Sequence, residues 1–147
     1  MSNTTCTAFK SMLLKGQVVV LSDTFKLILM QEGFVYVPTT HITYSTVSAV
    51  ELPTAYGYTV GGVALTGAAI TTSLTLGWAK LAWTDAQWSI SGGTVNTAGA
   101  FIYDDTVATG DGDDYSDVLV AYIDPGGTVT AVSGSLISVN DIYVTLT

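Results

Sequence analysis

The sequence predicts an all-β chain: a single β-sandwich or jelly-roll-like domain of about nine antiparallel strands with one short N-terminal helix. Three observations carry that expectation. Short runs rich in Val, Ile, Thr and Tyr recur along most of the chain, separated by Gly, Asn and Asp at intervals of about eight to twelve residues. Apolar residues fall at helical spacing in one place only, near the start. The breaks between runs also carry turn chemistry with a mechanism, as in Asp124-Pro125-Gly126-Gly127, where proline presets one dihedral and glycine takes a positive φ.

Residues 1–16 are expected as an N-terminal helical arm and 17–147 as the β-sandwich domain. Asn3, Thr4 and Thr5 offer N-caps, Ala8, Phe9, Met12 and Leu13 form an apolar stripe, and Gly16 stops the helix. That stripe either closes one end of the sheet core or reaches into a neighbouring subunit. Strands are then expected over 24–30, 34–37, 58–65, 69–76, 78–83, 98–103, 118–123, 128–132 and 137–146. In Val118 to Ile123 both parities are apolar, which suits a strand covered on both faces. Ile142, Val144 and Leu146 alternate with polar partners, which suits a strand covered on one. The Asp124–Gly127 turn is expected to place Ala121 and Val129 on neighbouring antiparallel strands. Residues 104–117 read as an exposed acidic loop.

Composition excludes several function classes. Twelve acids against four lysines, with no arginine, give a net charge of −8, so the chain lacks the basic surface that nucleic-acid binding requires. The bases (Lys10, Lys15, Lys26, Lys80) all lie in residues 1–80 beside three acids, whereas residues 81–147 hold nine aspartates and no base. This asymmetry describes either a solvated acidic region or a polarised molecule with a near-neutral docking end. Residues 52–79 carry no ionisable group except Tyr56 and Tyr58, yet their Pro, Gly and Thr content is unlike a spanning helix, and no membrane partner is expected. Residues 1–16 have no basic patch leading into an apolar run, so no secretory signal is expected and the chain is expected to stay in the cytoplasm where it is made. One cysteine, Cys6, forms no intrachain disulfide and no cysteine-based zinc cluster.

Candidate chemistry is sparse. Asp111, Gly112, Asp113 and Asp114 resemble part of a calcium loop, but the alternating ligands and closing glutamate are missing. His41 and Cys6 stand in contexts unlike those of a nucleophile and its base, and Glu32 and Glu51 are the only glutamates available for a carboxylate pair. Trp78, Trp83 and Trp88, with Tyr56 and Tyr58, either pack in the core or line a sugar-stacking platform; opposite parity of Trp78 and Trp83 keeps those two off one face. No enzyme activity, cofactor, metal or small-molecule substrate is expected. A sheet protein with almost no lysine after Lys26 leaves its strand edges unguarded, which points to a homo-oligomer or to docking on a larger assembly.

The order Phe9-Lys10, Leu13-Leu14, Gly16, Ser22-Asp23-Thr24-Phe25-Lys26-Leu27-Ile28-Leu29, Thr43-Tyr44, Glu51 and Gly57-Tyr58-Thr59-Val60-Gly61-Gly62-Val63-Ala64-Leu65 resembles a family of small tailed-bacteriophage structural proteins. Ala100 to Tyr103 followed by Leu119 to Asp124 is similar to the paired strands that close that family's sequence. The basic residue common before the first of those strands is replaced here by Ala98-Gly99. The resemblance implies a virion protein, a capsid decoration or cement protein on the outer surface of the head, whose partner is the major capsid protein. The expected contact residues are Phe9, Lys10, Met12, Leu13 and Lys15. The alternative is a tail or fibre-associated protein that contacts a host glycan.

Overall fold

The computed structural model of the chain describes residues 2–106 and 115–147, which form eleven strands and one α-helix. The fold is all-β and sandwich-like, with every strand pairing antiparallel. Three sheets share one continuous apolar core.

The expected caps at the start are instead a strand. β1 (Ser2–Thr5) pairs with β8 (Leu119–Asp124), and Cys6 takes the N-cap position of α1 (Thr7–Leu14) without a side-chain cap. Threonines serve caps and strands equally well, and a sheet partner far along the chain decides between them. The helix ends as its glycine predicts. Gly16 has φ 71°, its N–H donates to Leu13, and the Gln17 N–H donates to Met12, which together make a Schellman stop. Phe9 and Met12 are fully buried against the sheet, so the first sixteen residues are built into the domain and do not extend from it as an arm.

The largest sheet is organised around β7 (Thr94–Asp104), longer than the expected 98–103. One edge of β7 pairs with β2 (Phe25–Gln31), which in turn pairs with the two-residue β3 (Val63–Ala64). The other edge pairs with β8 and then with β9 (Val129–Val132). Because they pair with successive stretches of that edge, β8 with residues 100–103 and β9 with residues 94–97, β8 and β9 lie end to end and not side by side. Asp124–Gly127 is therefore a bulging insertion in a nearly continuous strand, not the turn of a hairpin, with the Gly126 N–H held by Asp124 Oδ1 at 2.7 Å. The two-faced burial expected of β8 is present: residues 119 to 123 are all buried.

The smaller sheets are a ribbon of β6 (Ala86–Ser89) with β10 (Leu136–Val139) and a three-stranded sheet in the order β11 (Tyr143–Leu146), β5 (Trp78–Ala82), β4 (Ala69–Ser73). The run expected as one strand over 137–146 divides into β10 and β11, with Asp141 between them at φ 53°. Residues 34–37 are not a strand. There Phe34 and Tyr36 pack their rings against Phe101 and Tyr122 at centroid distances of 4.8 to 5.7 Å within the cluster. Most of 58–65 is loop as well. Gly62 sits at φ 71°, where a Cβ would lie 2.0 Å from the Leu27 carbonyl oxygen, so the chain crosses β2 too closely for any other residue.

Candidate interaction surface

Among the described residues, Cys6, His41 and the two glutamates are each engaged by this chain's own groups. Cys6 is buried and accepts a hydrogen bond from Tyr36 Oη at 3.2 Å; burial pushes its thiol up to about 11, which suppresses the reactive thiolate. His41 Nδ1 accepts from the Val37 N–H at 3.0 Å, and partial burial lowers the imidazole's pKa. Of the two glutamates, Glu32 is exposed and bonded from Asn96.

Glu51 is buried and bonded through both carboxylate oxygens. Its Oε1 accepts from Tyr58 Oη at 2.5 Å and from the Gly61 N–H at 2.7 Å, while Oε2 accepts from Tyr44 Oη at 2.6 Å. Tyr44 stacks on Tyr103 at 4.7 Å, and Tyr103 Oη donates to the Gly61 carbonyl. Burial, then the hydrogen bond to Glu51, pushes both Tyr44 and Tyr58 well above the usual phenol range. This network clamps the loop 51–62 onto β2 and commits both carboxylate oxygens to this chain's own donors. Sequence reasoning does not find it, although a lone Glu followed by Tyr and a Gly pair is a visible signal.

The tryptophans do not form a platform. Trp83 is buried 5.2 Å from Phe25, Trp88 is buried 5.9 Å from Tyr58, and only Trp78 is partly exposed, on β5. The acidic segment that resembles part of a calcium loop, Asp111 to Asp114, lies outside the described residues. Lys26 pairs with Asp105 at 2.8 Å, and Asp104 is buried with its carboxyl raised to about 6, chiefly by burial. Among the described residues no group of three or more His, Cys, Asp or Glu is placed to hold a metal, and no helix is long and apolar enough to cross a membrane.

The expected contact residues separate into two sets. Phe9 and Met12 face the protein's own core, which removes them from any external interface: the helical stripe closes the sheet and does not reach outward. Lys10 and Lys15 are exposed and Leu13 is half-buried. Beside them the structure adds Leu14, 92% exposed, and brings the end of β11 alongside, so that Lys10, Leu13, Leu14, Leu146 and Thr147 border a shallow apolar depression of about 220 Å³. A second, larger groove of about 540 Å³ opens between Phe34, Tyr36, Tyr122 and the Asp124–Thr128 bulge.

Edge protection is equally uneven. Trp83 N–H donates to the Ile142 carbonyl, so Ile142, Val144 and Leu146 face β5 and the carbonyls of Asp141, Tyr143 and Thr145 point away from it. All three are capped from β1: Asn3 Nδ2 donates to Asp141 at 3.2 Å and Tyr143 at 3.1 Å, and Thr5 Oγ1 donates to Thr145 at 3.4 Å. The opposite edge of the same sheet, β4, has no comparable cover among the described residues; Ala69, Ile70, Thr71 and Thr72 are all exposed.

No protein-family model, curated protein sequence or solved structure matches this chain.

Proposed function

We propose that this chain is a structural protein of a tailed-bacteriophage virion, a capsid decoration (cement) protein that binds the outside of the head and bridges coat subunits. The observation that carries this reading is the Lys10–Leu13–Leu14–Leu146 ledge: an exposed Leu14 beside the half-buried Leu13 and Leu146 and bordered by Lys10, with its helical part on the near-neutral portion of an otherwise acidic molecule. Seated on the major capsid protein, the ledge would bury Leu14, and Lys10 and Lys15 would face coat carboxylates. The aspartate-rich remainder of the molecule would then face solvent. Many such modest contacts repeated over a shell add through multivalency, so no single contact needs to be strong. The catalytic alternatives draw no support from the positions of Cys6, His41 and Glu51.

Co-sedimentation with coat shells lacking the protein tests this. Wild type binds, and Leu14→Asp, which changes only an exposed position, loses most binding at unchanged thermal stability; equal binding by both excludes the ledge.

A second reading, a tail or fibre-associated protein that contacts a host glycan, now draws on the groove beside Phe34, Tyr36 and Asp124 in place of the tryptophans. Aromatic faces next to a carboxylate are suited to a sugar ring. Measurable binding on a glycan array, lost in Tyr36→Ala, would favour it.

A further inference from the structure

We infer that two copies of this chain pair through β4, edge to edge and antiparallel across a two-fold axis, to join their three-stranded sheets into one of six strands. The inference does not rest on the virion reading, because it follows from the backbone of one sheet.

The hydrogen-bonding directions in that sheet are fixed by its ladder. Ala79, Leu81 and Trp83 turn their backbone groups toward β11, so Trp78, Lys80 and Ala82 turn theirs toward β4, where they meet Ser73, Thr71 and Ala69. The backbone groups of Ile70 and Thr72 therefore point outward. Among the described residues neither makes a side-chain hydrogen bond or an added backbone bond there, whereas the outward carbonyls at the other end of the sheet are capped one by one from β1. Of the described strands paired on one side only, β4 is the longest, and it carries none of the usual guards: no charge, no proline and no bulge.

A second copy is the occupant that fits this edge. Antiparallel pairing about Thr71 sets Ile70 opposite the partner's Thr72 and Thr72 opposite the partner's Ile70. Both outward residues then lie in hydrogen-bonded pairs, and Thr71 meets the partner's Thr71 on the axis in a non-hydrogen-bonded pair. A shift of one residue would set both outward residues against inward-turned ones, and a shift of two would leave a single hydrogen-bonded pair. The same register carries the hairpin tip, where Leu74 is 96% and Leu76 is 74% exposed, past the start of the partner strand, with Leu74 opposite the partner's Ala68. Charge permits the approach. Residues 52–79 hold no charged group, so two molecules of net charge −8 meet along a neutral segment. The nearest cation, Lys80, lies over the Tyr143 ring at 4.1 Å, and three strand spacings would separate it from its counterpart by about 14 Å, beyond the Debye length in physiological salt.

The test is sedimentation velocity of the full chain over a concentration series, with two variants. Thr72→Pro removes an outward N–H and leaves the β5 ladder intact; Thr71→Cys places one thiol on the axis, and the buried Cys6 does not compete for oxidant. Wild type is expected to approach twice the chain mass, Thr72→Pro to stay at one chain mass with an unchanged thermal midpoint, and Thr71→Cys to form a covalent dimer on mild oxidation. If Thr72→Pro unfolds, the trapping of Thr71→Cys decides alone. A wild type that remains monomeric to its solubility limit overturns the inference. So does a dimer that survives Thr72→Pro while Thr71→Cys fails to crosslink. A monomer whose binding to coat shells is lost in Thr72→Pro would also overturn it, and would assign the edge to a coat strand.

Discussion

Glu51 holds three donors with two oxygens, so its effect on stability comes from what its removal strands. Glu51→Ala leaves the buried Tyr58 Oη and the part-buried Gly61 N–H without this acceptor and is expected to cost about 3 kcal/mol in urea unfolding. Glu51→Gln keeps one acceptor oxygen and should cost roughly half that. Cys6, with its thiol raised to about 11, is expected to resist thiol reagents at pH 8 in the native protein and to react at once when unfolded. Asp104 gives a pH signature. Burial chiefly, with a smaller contribution from Asp23, raises its folded value to about 6 from 3.8, so the folded state holds the proton more tightly than the unfolded chain. Its stabilising contribution is complete below the unfolded value and is lost as pH rises through 6. Denaturant unfolding at pH 4 and pH 7 should show wild type losing stability relative to Asp104→Asn over that interval; parallel curves would contradict the assignment.

At the scale of elements, α1 belongs to the core through Phe9 and Met12. Phe9→Ala should cost about 3–5 kcal/mol, as for other fully buried aromatic truncations, whereas Lys10→Ala should leave unfolding unchanged within about 0.5 kcal/mol. β1 acts as the guard of β11. Asn3→Ala removes two of its three capping bonds and should lower stability by about 1–2 kcal/mol. What the sequence discloses and what it hides divide along these lines. The helix and its Gly16 stop, the doubly covered β8 and the inward alternation of Ile142 and Val144 are legible because each is written within one segment, whereas Leu146 comes partly to the surface. β1 is not, because Asn3, Thr4 and Thr5 suit a cap as well as a strand, and residues 120–145 decide the matter. Pro125-Gly126-Gly127 reads as a hairpin turn in isolation; only the length of β7, which accepts β8 and β9 in succession, makes it a bulge. For the candidate surface, composition points to unguarded edges, and Lys10, Leu13 and Lys15 keep surface open to solvent. Phe9 and Met12 do not, since periodicity shows that a helix has an apolar face but not which neighbour covers it.

For the molecule as a whole, nine aspartates in residues 81–147 against four lysines in residues 1–80 set how copies meet each other and a larger surface. Self-pairing along the neutral β4 edge still brings two net-negative bodies together, so the dimer fraction should rise as salt is raised from about 0.01 M to 0.15 M, where the Debye length shortens from about 30 Å to 8 Å. Docking of the lysine-rimmed ledge on an acidic coat surface should respond in the opposite sense. The two contacts are thereby distinguishable on one preparation. Decoration of a virion shell is checked by quantitative mass spectrometry of purified particles, counting copies of this chain against the major capsid protein. A shell-bound protein is expected at a fixed ratio at or near a simple fraction of the coat subunits, as symmetric occupancy of a shell demands. A count at the level of a single ring or fibre, or absence from the particle, would contradict it.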